Sequence, residues 1–295
     1  MNRVLLADRL ATGVLWAIAI LVVGILGAII AHFMLAAWGT LSPGFLFGNP
    51  SDVAIGGIGP ILFNSVYILV LTLLITVPLG IAGGIYMAEY AGDNWLTSVI
   101  RFCQELISSV PSIVVGMFGL ALFVTATHWG YTALGGSLAL VVFNLPLMAR
   151  LTEQAIRAVP ADERSGSLAL GTSKWQTIRH VVLPLAIPGI VTGIILTAGR
   201  IFGEAAALIF TSGLSTPSKF DFSNLNLLDP RSPWSPLHPA TTLSVYIWKL
   251  NSEGLGLFVR QIADTSAAVL VIMVLVFNLG ARGLGRLLQR RLTGA

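Results

Sequence analysis

LISSVPSIVVGMFGLALFVTATHWGYTALGGSLALVVFNLPLMA, residues 106–149, runs for 44 residues without an Asp, Glu, Lys or Arg. A helix that crosses a bilayer needs about 20 predominantly apolar residues. The run therefore holds two crossings, and THWGYT around Gly130 is where it breaks. Three further stretches, 10–51, 53–88 and 265–281, are also uncharged. The chain of 295 residues is 55% hydrophobic and 10% charged, with a mean hydropathy of +0.86. Soluble domains carry about 25% charged residues, so the composition points to an all-α, multi-pass membrane protein.

The pattern predicts six helices, at about 12–36, 61–87, 108–127, 131–149, 184–213 and 263–284. The first begins in a segment with basic residues at its start, as a signal peptide does. Its apolar part is longer than a signal sequence needs and more crossings follow, so it is read as an uncleaved first span. Lys and Arg set the orientation. With both termini inside, twelve of the 17 lie in the cytoplasmic pieces 1–11, 88–107, 150–183 and the C-terminal end, and four lie outside. That bias predicts N-in, C-in. The basic pI near 9.6 is explained by these flanking charges and not by nucleic acid. The single cysteine, Cys103, excludes an internal disulfide.

Two connections are long. The inner one, 150–183, carries five basic and three acidic residues. The outer one, 214–262, has five prolines between 217 and 239 and then TTLSVYIWKL, whose Tyr246 and Trp248 suit the outer membrane interface. There is no GxxxxGK[ST] phosphate loop, and GGIGP at 56–60 reads as a turn. There is no HExxH, and the four histidines are dispersed. No metal site or cofactor is expected, and nothing in the spacing marks an enzyme.

Arg200 is the one Lys or Arg deep inside a predicted span. A charge at the bilayer centre costs at least ~2.5–3.5 kcal/mol and normally faces the bundle interior or a watery path. Glu204 follows four residues later, so on a continuous helix the two share a face. Three readings stand side by side: a structural ion pair, a pair lining a substrate path, or a contact with another subunit. In the path reading the arginine fork meets an oxyanion while Glu204 orients it and keeps binding weak enough for release. Gly199 and Gly203 beside them permit close approach of another helix. Ser112, next to Pro111, and Asn144, near Pro146, are further polar groups for a path or for helix packing.

In the inner connection, SGSLALGTSKWQTIRHVVLPLAIPG (165–189) resembles the cytoplasmic loop of bacterial ABC importer permeases, whose pattern is E-A-A-x-x-x-G, nine residues, then I-x-L-P. Gly171, Leu183 and Pro184 match it, Val181 stands for the isoleucine, and Ser165, Gly166 and Ser167 replace E-A-A. The stretches at 56–91, 108–124 and GRIFGEAAALIFTSG at 199–213 together resemble the PstA-type permease of phosphate importers, over roughly residues 53–213. Ala207 stands where that family usually has proline.

The resemblance implies a type I ABC importer permease fold: one membrane domain over 1–295, with a five-helix core at 61–284 that includes the coupling loop. It implies a transport subunit, not an enzyme, in the bacterial inner membrane. A sister permease would complete the path, and two separate ATPase subunits would supply ATP hydrolysis. A phosphate-binding protein would deliver substrate to the outer loops 37–60 and 214–262. A short coupling helix near 161–175, with Ala169, Leu170, Gly171 and Lys174, would dock on the ATPase. Arg200, Glu204, Ser112 and Asn144 are the candidate path residues. The sister-type phosphate permease, a molybdate or sulfate permease, an intramembrane enzyme and a stand-alone channel are the alternatives.

Overall fold

A computed structural model of the chain describes residues 2–50, 56–92, 94–217, 220–254 and 258–293. Parts of the expected outer docking loops lie outside these residues. Among them the chain contains helices and turns and no strand.

The elements are α1 (Asn2–Ala36), α2 (Pro43–Phe47) and α3 (Gly59–Ile85), the last extended by a π turn at Tyr86–Tyr90. Then come α4 (Trp95–Ser109) and α5 (Ser112–Gly119), extended by a second π turn at Leu120–Thr125. α6 (Ala133–Arg157) and α7 (Ala161–Ala169) follow. α8 (Lys174–Thr177) runs through a third π turn, Ile178–Val182, into α9 (Leu183–Gly203). α10 (Ala206–Thr211), α11 (Leu243–Glu253) and α12 (Val259–Thr293) complete the chain. Five helices are long and apolar enough to cross a membrane: α1, α3, α6, α8–α9 and α12. A sixth crossing results if α4 and α5, bent by 98° at their junction, count as one broken span.

That bend is local chemistry. Proline disfavours helical backbone at the residue before it, and Val110 before Pro111 is extended at φ −64°, ψ 133°. Residues 95–107, expected as loop, are helical. The fourth predicted helix does not stop at 149 but continues to Arg157, carrying Arg150, Glu153 and Arg157 beyond the apolar run.

The bundle centre is α3 against α6 and α6 against α9, and glycines set both spacings. A Cβ on Gly80 would lie 2.5 Å from Met148 Cγ; one on Gly84 would lie 2.5 Å from Thr152 Cβ and 2.8 Å from the Ala149 carbonyl oxygen. On the other side Gly189 abuts Ala155 and Gly193 abuts Leu151. These contacts fix the registers: Thr76 stands opposite Asn144, and Arg200 stands level with residues 143–144. α1 is exposed along its length and packs on α12.

Gly84→Val is expected to lower the melting temperature of the purified protein, because overpacking against a backbone carbonyl costs about 1–3 kcal/mol. Gly199→Ala is expected not to lower melting, since no atom lies within 4 Å of its would-be Cβ and alanine is the better helix former. Equal melting of the two variants would refute the assigned α3–α6 packing.

The described residues of the outer connection that surround His238 fold into a cap. His238 is fully buried, with its Nε2 3.0 Å from Asn64 Oδ1 on α3 and its Nδ1 against the Ser235 carbonyl. Asn64 Nδ2 donates to Thr216 Oγ1 at 3.0 Å, and Phe63 packs on Tyr67, Phe222 and Trp234. The first turn of α11, expected at the membrane surface, is buried here: Leu243 N donates to Ser65 Oγ at 2.7 Å.

Burial holds the His238 imidazole below the ordinary histidine range, against a weaker opposing pull from the Ser235 carbonyl. The unfolded chain then takes up a proton near pH ~6.5 that the folded cap refuses. Stability from this group is present above pH ~6.5 and is lost as pH falls toward its folded value. The melting temperature is expected to drop between pH 7.5 and 5.5 more steeply in the native protein than in His238→Gln.

Candidate functional site in the membrane and its cytoplasmic loop

The fifth predicted helix, 184–213, is broken. α9 ends at Gly203, Glu204 is extended at φ −76°, ψ 117°, and α10 starts at Ala206. The groups freed by the break find partners from afar. Ser244 Oγ donates to the Glu204 carbonyl at 2.8 Å, and the Glu204 carboxylate accepts from Ala207 N at 3.3 Å. α10 is drawn onto α5, where a Cβ on Gly116 would lie 2.8 Å from Ala207 Cα. Irregular backbone inside a bundle is tolerated where such partners exist.

The break corrects the expected ion pair. Glu204 is no longer on the helix that carries Arg200, and the two do not pair within 4.0 Å. The Arg200 guanidinium instead lies 3.7 Å from the centre of the Phe143 ring on α6. Phe143 falls on the side of α6 that faces α9, one turn on from Leu147 and two from Leu151, which meets Gly193. A cation over an aromatic face gains ~0.5–2 kcal/mol and leaves the guanidinium donors uncommitted.

Asn144 faces α3. It is fully buried, its Nδ2 donates to the Leu140 carbonyl at 2.8 Å, and its Oδ1 has no hydrogen-bond partner. Thr72 and Thr76 on α3 carry hydroxyls in the same condition. Ser112 opens α5, half-buried, at the depth of Pro146, since Gly119 meets Ala139. Arg200, Asn144 and Ser112 thus share a depth but not a surface. A Cβ on Gly199 or Gly203 meets nothing within 4 Å among the described residues, so that side of α9 is open there. Among the described residues no three His, Cys, Asp or Glu side chains gather as metal ligands.

On the cytoplasmic side, α7 and α8 form a helix–turn–helix around Gly171. Its φ of +84° is a left-handed conformation that glycine adopts without strain. Leu170 is 86% exposed, and Ala169, Leu168 and Trp175 also face outward. Beside them lies a groove of about 570 Å³ lined by Asp162, Glu163, Gly166, Leu170 and Gln176. Ser165, where the usual glutamate would stand, is exposed and bonds only the Asp162 carbonyl.

Lys174 does not point outward with its neighbours: its Nζ donates to the Glu89 carbonyl and sits 4.8 Å over the Tyr90 ring. Arg164 is the fastening the sequence did not reveal. It donates to Glu89 Oε1 at 3.1 Å and to the Val159 and Ile156 carbonyls at 2.6 Å each. α7 is thereby tied to the inner ends of both α3 and α6. Ser167, Thr172 and Thr177 close the turn with a triangle of hydroxyl contacts at 2.8–3.0 Å.

Residues 80–294 match the family of binding-protein-dependent transport system inner membrane components. The chain is 51% identical, over 99% of both lengths, to the probable ABC transporter permease protein YqgI of Bacillus subtilis. It is 34% identical to the phosphate transport system permease protein PstA of Xylella fastidiosa, covering 80% of this chain and 77% of that one. Its fold is similar to that of a chain in the bacterial alginate ABC transporter in complex with an alginate-bound periplasmic protein. There the TM-score is 0.62 at 16% identity, over 97% and 95% of the two chains. A chain of the inward-facing MetNI methionine ABC transporter gives 0.57 at 17%, over 79% and 94%. A helical bundle with an exposed cytoplasmic helix–turn–helix, a glycine at its turn and this match over most of its length make the chain a member of the binding-protein-dependent transport system inner membrane component family, a permease subunit of ABC importers.

Proposed function

We propose that this permease subunit carries phosphate inward as part of an ATP-driven importer. The observation that carries the proposal is Arg200: a half-buried guanidinium level with the bundle centre, resting on an aromatic ring, without an ion pair among the described residues, beside a helix break. Its planar fork matches two phosphate oxygens. Glu204 serves this site by accepting from Ala207 N at the start of α10 and so holding the break, not by touching the anion. The similarity to permeases named for phosphate transport supports the same substrate class.

A sister permease would supply the other wall of the path across the open side of α9. Of two ATPase subunits, one would grip the α7–α8 turn of this chain through Leu168, Leu170 and Trp175. Closure of the ATPase pair would pull α7, and through Arg164 the inner ends of α3 and α6. An extracytoplasmic phosphate-binding protein would deliver the anion to the cap that holds His238 and Trp234.

The test is uptake of labelled phosphate in cells lacking and then regaining this gene, with excess sulfate or molybdate as competitor. Restored uptake that sulfate and molybdate leave untouched is expected. Restored uptake of sulfate or molybdate instead would replace phosphate as the substrate, and phosphate uptake unchanged by loss of the gene would overturn the proposal.

A further inference from the structure

We propose that α4 is an interfacial anchor, a helix that lies in the inner boundary of the bilayer and binds lipid through one apolar side. The inference is independent of the substrate carried. Along Trp95–Ser109, the residues Trp95, Leu96, Val99, Phe102, Cys103 and Leu106 recur at helical spacing and share one side. Thr97, Arg101, Gln104 and Ser108 occupy the other.

The packing is the inverse of a soluble helix. Thr97 is buried, and Arg101 pairs with Glu153 of α6 at 3.0 Å. Glu105, on the flank, pairs with Arg150 of α6. The apolar side is the one left uncovered, with Trp95 78% and Phe102 59% exposed. A helix that turns its polar residues to the protein and its apolar residues outward fits a lipid surrounding.

Depth and orientation agree with this. α6 carries no charge from Ala133 to Ala149, and Arg150 is its first. Seventeen residues at 1.5 Å span ~26 Å, close to the ~30 Å thickness of a hydrocarbon core. Arg150 and Glu153 therefore mark the inner headgroup level, and α4 is held to both. The 98° bend at Pro111 turns α4 across the direction of α5, which lays it in the membrane plane. Trp95 at its start suits that depth.

The two ion pairs couple this float to α6, the helix on which Arg200 rests. Lipid binding by α4 would fix the level of α6 in the bilayer while α7 moves.

Cys103, the single cysteine of the chain, lies within the apolar side and is exposed. It provides a native attachment site for a spin label. The full chain, purified with the subunits that accompany it, is labelled with a nitroxide and returned to phosphatidylethanolamine–phosphatidylglycerol vesicles. Cys103→Ser, labelled in parallel, supplies the signal of other subunits for subtraction. The expected result is a mobile nitroxide relaxed more strongly by oxygen than by a water-soluble nickel chelate, at a depth of roughly 5–10 Å into the headgroup–acyl boundary. Stronger relaxation by the nickel chelate would place the helix in water and overturn the proposal. An immobilised spectrum shielded from both reagents would assign the apolar side to a protein partner and also overturn it.

Discussion

Arg200→Gln is expected to abolish phosphate uptake while leaving the importer assembled and at least as stable as the native one. A bidentate grip on phosphate comprises two charged hydrogen bonds of about 1.5–3 kcal/mol each. Its loss corresponds to a fall in transport of roughly a hundredfold or more. Stability moves the other way. Among the described residues Arg200 pairs with no carboxylate and rests on Phe143. Removing the charge relieves an insertion cost of at least ~2.5–3.5 kcal/mol and forfeits ~0.5–2 kcal/mol of ring contact. A structural ion pair would give the opposite signature, with lower stability and uptake largely intact. Uptake at the native rate in an assembled Arg200→Gln importer would remove Arg200 from the path. Arg200→Lys is expected to fall between, since it keeps the charge but not the fork. Glu204→Gln keeps an oxygen acceptor for Ala207 N and should cost little. Glu204→Ala removes the carboxylate that accepts from Ala207 N, worth ~0.5–1.5 kcal/mol.

The crossings were legible because dehydrating a charge is expensive, so uncharged runs of sufficient length mark the spans directly. The cytoplasmic turn was legible because Gly171 and the Leu183–Pro184 pair stand at fixed spacing. What escaped was decided by residues far apart in the chain. Nothing within GRIFGEAAALIF signals a break at Glu204. The break depends on Ser244, forty positions on, and on Gly116 admitting Ala207. Phe143 lies under Arg200 because Gly80, Gly84, Gly189 and Gly193 set two helix registers at once. α4 was hidden because Arg101 and Glu105 interrupt its apolar residues in sequence, though not on its surface. Lys174 looked like an outward cation until its acceptor, 85 residues upstream, was in place.

Arg164→Ala is expected to uncouple the importer: ATPase subunits remain bound, ATP hydrolysis continues, and uptake falls at least tenfold. Arg164 holds three acceptors at once, the Glu89 carboxylate, the Ile156 carbonyl in the last turn of α6 and the Val159 carbonyl just beyond it. Both members of the Arg164–Glu89 pair are largely shielded, with side-chain exposures of 24% and 11%. Truncating the arginine leaves Glu89 without its cation and frees two carbonyls, a loss of about 3 kcal/mol at the joint. The exposed residues Leu168, Leu170 and Trp175, the proposed docking surface, are untouched, so docking is expected to persist while its pull no longer reaches α3. Lys174 offers a second, weaker tie through the Glu89 carbonyl and Tyr90, so Arg164→Ala with Lys174→Ala should be worse than either alone. Glu89→Gln is the discriminating variant. It keeps the shape and a hydrogen-bond acceptor but removes the charge, and should cause a partial defect in the same direction. Loss of ATPase co-purification in Arg164→Ala would mean that the arginine maintains the docking surface itself. Native uptake in both variants would show that force passes from α7 to the bundle by another route.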